Sequence, residues 1–112
     1  MSSLLYNGWK DKANRHCIYC GKPYAERHEV FGGSNRQNSI LLGLQIDVCR
    51  EHHKELQDNC TDWAQSENAR LREKFEREYI ANMVEAGFPE KIGLAEWMHI
   101  IGKNYCDDMQ PE

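Results

Sequence analysis

From Leu44 to Cys49 apolar and polar residues alternate, with Leu44, Ile46 and Val48 set against Gln45, Asp47 and Cys49. That is the period of a strand with one buried face. A second short strand is predicted from Tyr24 to Phe31, ending where Gly32-Gly33 forces a turn. Between the two, SNRQNSILLG runs from polar to apolar and reads as an irregular loop holding at most one turn of helix. After Cys49 the period changes. Arg50 to Asp58 contains no breaker and predicts a short helix; Thr61 is a good N-cap and Asp62 suits a first turn, so a long helix follows. Within it Leu71, Phe75, Tyr79 and Met83 recur every fourth residue, with Asn68 and Ala64 extending the row, and are the expected core face. Gly87 and Phe88-Pro89 stop that helix. A last helix, about 94–101, places Leu94, Trp97, Met98 and Ile101 on one side and ends at Gly102. Ahead of the strands, residues 1–16 form a polar lead-in anchored by Leu4, Leu5, Tyr6 and Trp9, and CIYCGK makes a tight turn in which Gly21 supplies backbone freedom.

The predicted order is α+β: a short hairpin and helix, then a long helix and a shorter C-terminal one. At 112 residues the chain is expected to be a single domain, with 17–60 as its core and 61–112 as a helical extension. A chain of this size holds a modest core and gains from a staple. Hydrophobic residues at 40% and charged residues at 29% exclude a disordered composition. No apolar run approaches the roughly 20 residues of a membrane span, and MSSLLYNGWKDK lacks a signal peptide's pattern. The expected compartment is the cytoplasm, with no membrane partner and with thiols kept reduced.

That setting changes how the five cysteines read. Cys17 and Cys20 form C-x-x-C, and Cys49 opens C-x-x-H-H. An odd count in close pairs beside histidines favours metal over disulfides. Three-residue spacing lets Cys17 with Cys20, and Cys49 with His52, converge on one tetrahedral structural zinc. Knuckle, hairpin and helix, with the last ligands at the helix start, is the treble-clef arrangement. His53 and Cys60 are rivals for the fourth position. Cys60 and Cys106 otherwise read as small packing residues, and His16 and His99 as structural.

If His52 binds zinc, His53 is rotated about 100° away on the helix and can meet His28 from the preceding strand. Two such side chains can hold a divalent ion with positions left for a phosphate oxygen and water, a workable phosphodiesterase site. The competing readings are plain ones: a structural histidine, and a Glu29 that pairs with Arg27 or Arg36.

Charge limits the partners. The net charge is −4; residues 1–60 carry eight Lys/Arg against seven Asp/Glu, and residues 61–112 six against eleven. Any nucleic-acid contact is therefore expected to use Lys10, Lys12, Arg15, Lys22, Arg27, Arg36, Arg50 and Lys54, without tight sequence-independent binding.

The pattern C-x-x-C-G … HEVF … N … C-x-x-H-H-K resembles the HNH family of His-Me finger (ββα-metal) endonucleases with an embedded zinc knuckle. HEVFGGSNR and IIGKNY make it similar to a small phage- and prophage-encoded subgroup, over most of 17–105. The resemblance implies metal-dependent cleavage of DNA by an endonuclease or nickase, with Mg²⁺ or another divalent ion beside the zinc. It implies His28 and His53 as ligands of that ion and Glu29 at the general-base position, where the family carries histidine. The middle asparagine falls on Asn35 or Asn38, Asn35 being favoured by its N-R pair, and Arg36 is a candidate phosphate clamp. Glu29 departs from the pattern. It is a weak base at neutral pH, or a metal ligand, or, in a shifted register with His28 as base, a residue on the far strand face. Both residues act together only if the strand is distorted there, by a bulge that Gly32-Gly33 would favour. The alternative is a non-catalytic zinc module contacting nucleic acid or a phage recombination or replication protein.

Overall fold

Strands β1 (Glu26–Glu29) and β2 (Gln45–Val48) pair antiparallel, with Glu26 opposite Val48, Arg27 opposite Asp47, His28 opposite Ile46 and Glu29 opposite Gln45. The computed structural model describes residues 15–106 and 108–109; the anchors Leu4, Leu5, Tyr6 and Trp9, with Lys10 and Lys12, lie outside the described residues. β1 is shorter than its hydrophobic pattern suggests. Tyr24 takes a left-handed φ of 59°, uncommon for a bulky residue, which breaks the extended run before Glu26. Beyond Glu29, Val30 still donates to the Leu44 carbonyl at 3.0 Å. Phe31 instead turns to Ser39, whose buried hydroxyl accepts from its N–H at 3.1 Å and donates to its carbonyl at 2.7 Å. The register is regular throughout, without the bulge that Gly32-Gly33 would favour.

Ser39 belongs to helix α1 (Arg36–Leu42), entered through a 3-10 turn at Gly33–Asn35. A loop was expected here, and the correction has a physical cause. Only Ser39 and Ile40 of this helix are buried, while Leu41 is 69% exposed, so no apolar stripe announces it. The Ser39 clasp on Phe31 holds it in place.

Helix α2 (Arg50–Asp58) follows β2 with Cys49 as its N-cap, over the residues predicted. Helix α3 (Asp62–Glu85) starts behind Thr61, whose hydroxyl accepts from the Ala64 N–H at 3.0 Å, the expected cap. Helix α4 (Glu90–Ile101) starts directly after Pro89, earlier than expected. Over the described residues the chain is thus α+β, a two-stranded antiparallel hairpin and four helices. Among the described residues no helix is long and apolar enough to cross a membrane.

The described residues fall into two compact units divided between Asn68 and Ala69, within α3 rather than at its start. In the first, Cys17, Val48, Cys49 and Leu56 form one core cluster, with Tyr19 and Ile46 against it, and Val30, Phe31, Ile40 and Leu44 are buried as well. Asn68 donates to the Leu56 carbonyl and to Asn59 Oδ1, both at 3.0 Å, and so fixes the α2–α3 corner. In the second, Leu71, Ile80, Leu94, Trp97, Ile101 and Cys106 are buried. Gly93 allows a close approach of α4 to α3, since a Cβ there would stand 3.1 Å from Ile80 Cγ2.

The buried face of α3 departs from the expected row. Phe75, Tyr79 and Met83 are half-buried, and Glu76 and Ile80 are buried instead. A row taken every fourth residue drifts about 40° per step around a 3.6-residue helix, so it leaves the core side before its end. Glu76 is buried although charged; its Oε1 accepts from the Tyr105 N–H at 2.6 Å. Burial pushes its carboxyl up, against the lowering pull of the Tyr105 N–H and the Cys106 thiol. A carboxyl raised in the folded chain opposes folding while ionised, so the second unit gains stability as pH falls through Glu76's folded pKa toward its unfolded value. Glu76→Gln keeps the acceptor for Tyr105 and is expected to raise the melting temperature at pH 7 and flatten its rise toward mild acid. A variant with the wild-type pH profile would refute this account of Glu76.

Candidate functional site

The first cysteine pair sits on a knuckle that the backbone closes on itself. The Cys17 N–H donates to the Lys22 carbonyl and the Gly21 N–H to the Cys17 carbonyl, both at 2.9 Å. Gly21 has φ 76°, which a residue without Cβ adopts readily. The turn docks on β2 through the Ile18 N–H and the Asp47 carbonyl at 3.0 Å. The second pair sits where β2 becomes α2, with Cys49 Sγ accepting from the His52 N–H at 3.5 Å. The ligand atoms of Cys17, Cys20, Cys49 and His52 all lie within 4.8 Å of one another, and His52 Nδ1 is 3.5 Å from Cys17 Sγ and 3.1 Å from Cys49 Sγ. The group is close enough to hold a metal ion. Of the rivals, Cys60 is exposed and turns its thiol to the Asp58 carbonyl at 3.1 Å, so it is neither ligand nor packing residue. His53 points elsewhere.

The rings of Tyr19 and Trp63 flank His52 at 5.2 and 5.5 Å, and Tyr19 donates to Glu67 Oε2 at 2.5 Å. Burial raises the Cys17 thiol, but backbone N–H groups of Cys49, Cys20 and Tyr19 outweigh it and bring it down to about 6. Burial pushes Cys49 up. Metal uptake near pH 7 therefore releases a proton from Cys49, and affinity falls with acidification.

A second cluster lies on the face of β1 toward α2. His28 is buried at 6% exposure, and its ring stands edge-on to His53 with centroids 5.3 Å apart. Glu26, two residues before His28 and so on the same strand face, places Oε1 2.8 Å from His53 Nδ1. His53 Nε2 is buried without a hydrogen-bond partner among the described residues. In the sequence Glu26 leaves one signal, its i, i+2 spacing to His28.

Glu29 occupies the other face of β1, where Arg36 Nε lies 3.2 Å from its Oε1. Asn35 and Asn38 bond to each other, Asn38 Nδ2 to Asn35 Oδ1 at 3.0 Å. The described basic residues among those expected at a polyanion are engaged with acids. Arg15 and Arg27 each lie 3.9 Å from Asp47, Lys22 is 3.0 Å from Glu51, Arg50 is 3.6 Å from Glu26 and Lys54 is 2.7 Å from Asp58. The IIGKNY segment serves the second unit: Trp97 Nε1 donates to the Lys103 carbonyl at 3.0 Å, and Asn104 Oδ1 accepts from the Cys106 N–H at 2.9 Å. Burial pushes the Cys106 thiol up to about 11, so it stays protonated and packs.

No family model matches the sequence, and neither a curated protein nor a solved structure matches the chain.

Proposed function

We propose that this chain is a metal-dependent phosphodiester hydrolase of HNH type acting on DNA, an endonuclease or nickase of phage origin, stapled by a structural zinc in a treble-clef finger. The observation that carries the reading is the meeting of buried His28 with half-buried His53, whose Nδ1 is engaged by Glu26. Three thiolates and one imidazole are a structural-zinc donor set with no position left for substrate. Two imidazoles, by contrast, leave most of an ion's coordination positions to other ligands. His28 and His53 would hold the ion, and the chemistry it would supply is charge neutralisation at the phosphate and the leaving oxygen. Imidazole donors suit nickel, iron, copper or zinc better than magnesium or manganese, which prefer oxygen ligands. Asn35 and Asn38 border the entrance to α1, and Arg36, half exposed, is available to a phosphate once it leaves Glu29.

One observation favours a second reading, a zinc module that binds nucleic acid or a phage recombination or replication protein without cutting. Glu29, at the general-base position, is tied to Arg36 on the strand face away from His28.

Nicking of supercoiled plasmid by zinc-loaded protein with Mn²⁺, Ni²⁺ or Mg²⁺ separates the two. The hydrolase reading expects ion-dependent nicking that His53→Ala lowers by about 10²–10³-fold, the loss typical of one electrostatic contributor, with zinc content and helical circular dichroism unchanged. A folded, zinc-loaded wild type that nicks nothing with any of the three ions would hand the case to the binding module.

A further inference from the structure

We propose that Glu26 is a positioning residue: it keeps the proton of His53 on Nδ1 and so presents an unprotonated Nε2 beside His28. The inference rests on the reading of His28 and His53 as an ion site given above.

The geometry follows from local rules. Strand period 2 puts Glu26 and His28 on one face of β1, and α2 begins immediately after Cys49, so its fourth residue, His53, returns over that face. Glu26 Oε1 lies 2.8 Å from His53 Nδ1. A carboxylate only accepts, so Nδ1 is the donor and carries the ring proton. A neutral imidazole has one proton, which leaves Nε2 as a bare acceptor. That atom is buried and finds no donor among the described residues. A buried, unsatisfied lone pair is costly, and a cation is the partner that relieves it. The competing arrangement, a doubly protonated His53 in a plain ion pair, would bury an Nε2–H with no acceptor instead. Glu26 is held from its other side, its Oε2 3.6 Å from Arg50 Nε, with Arg50 84% exposed. A carboxylate that orients a ligating histidine in this way typically contributes a factor of 10–100 in metal affinity.

The test uses the full zinc-loaded chain, ¹⁵N-labelled, as wild type, Glu26→Ala and Glu26→Gln. Two-bond ¹H–¹⁵N spectra read the His53 tautomer, and calorimetric titration with Ni²⁺ reads the second site while zinc stays on the thiolates. Wild type is expected as the Nδ1–H tautomer. Glu26→Ala should shift His53 toward Nε2–H and weaken nickel by about 10–100-fold. Glu26→Gln, whose side-chain carbonyl still accepts from Nδ1–H, should restore the tautomer and most of the affinity. An Nε2–H wild type, or an alanine variant unchanged in tautomer and nickel affinity, overturns the proposal; so does a wild type that takes up no nickel beyond the thiolate group. If the alanine variant does not fold, the wild-type and glutamine tautomers decide. The two readings fail separately. Tautomer and nickel results as expected without any nicking would sink the hydrolase and leave Glu26's role standing. Equal nicking by wild type and Glu26→Ala would do the reverse.

Discussion

Cys49→Ala, or a strong chelator at neutral pH acting on the proposed zinc, is expected to unfold the first unit. Its hairpin strands are four residues each, and in the core cluster beside Val48 and Leu56 the residues Cys17 and Cys49 are themselves members of the thiolate group. Cys49 also caps α2 through the His52 N–H. One substitution therefore removes a ligand, a cap and a core side chain together. Structural zinc sites contribute on the order of 10–16 kcal/mol of apparent binding energy in small fingers, against a typical total domain stability of about 5–15 kcal/mol. The expected result is collapse of the dispersed amide signals of β1, β2 and α2 on chelation, with recovery when zinc returns. Retention of those signals in metal-free protein would show that Val48, Leu56 and their neighbours hold the unit unaided.

Trp97→Ala has the largest expected effect in the second unit. Trp97 is completely buried, packs its ring 5.6 Å from Tyr79 and donates Nε1–H to the Lys103 carbonyl at 3.0 Å. Truncating a buried tryptophan costs about 3–5 kcal/mol. The orphaned Lys103 carbonyl costs about 1 kcal/mol more wherever water does not reach it. Few other large side chains share this core, so most of α4's protection against hydrogen exchange is expected to vanish. Trp97→Phe keeps an aromatic ring and gives up the indole hydrogen bond, and should cost clearly less. Equal losses for the two variants would mean that the hydrogen bond, and not the filled volume, holds α4 in place.

What was legible in the chain follows the kind of signal each element leaves. α2, the Thr61 cap and the Cys17/Cys20/Cys49/His52 group rest on short-range rules, a cap hydroxyl or a three-residue ligand spacing, and these survive without knowledge of neighbours. α1 left no such trace, because its anchor is one serine hydroxyl bonded to Phe31 across the hairpin connection. Glu76 was hidden for a related reason. A charged residue mid-helix reads as solvated, and only the Tyr105 backbone, far along the chain, gives it a reason to be inside. Glu26 is the instructive case at the site. Histidine spacing points to His28 and His53, while the residue that engages His53 sits in the most ordinary position on a strand.

The pairing of each described base in the hairpin unit with an acid has a consequence for any polyanion that approaches it. A phosphate reaching Arg36 or Lys54 does not meet a bare cation wrapped in mobile anions; it must trade places with Glu29 or Asp58. Such an exchange liberates few solution ions, so the entropic drive that ordinarily holds proteins along a duplex is mostly absent. Encounters would be brief and nearly indifferent to ionic strength, and lasting residence on a nucleic acid would depend on delivery by something else.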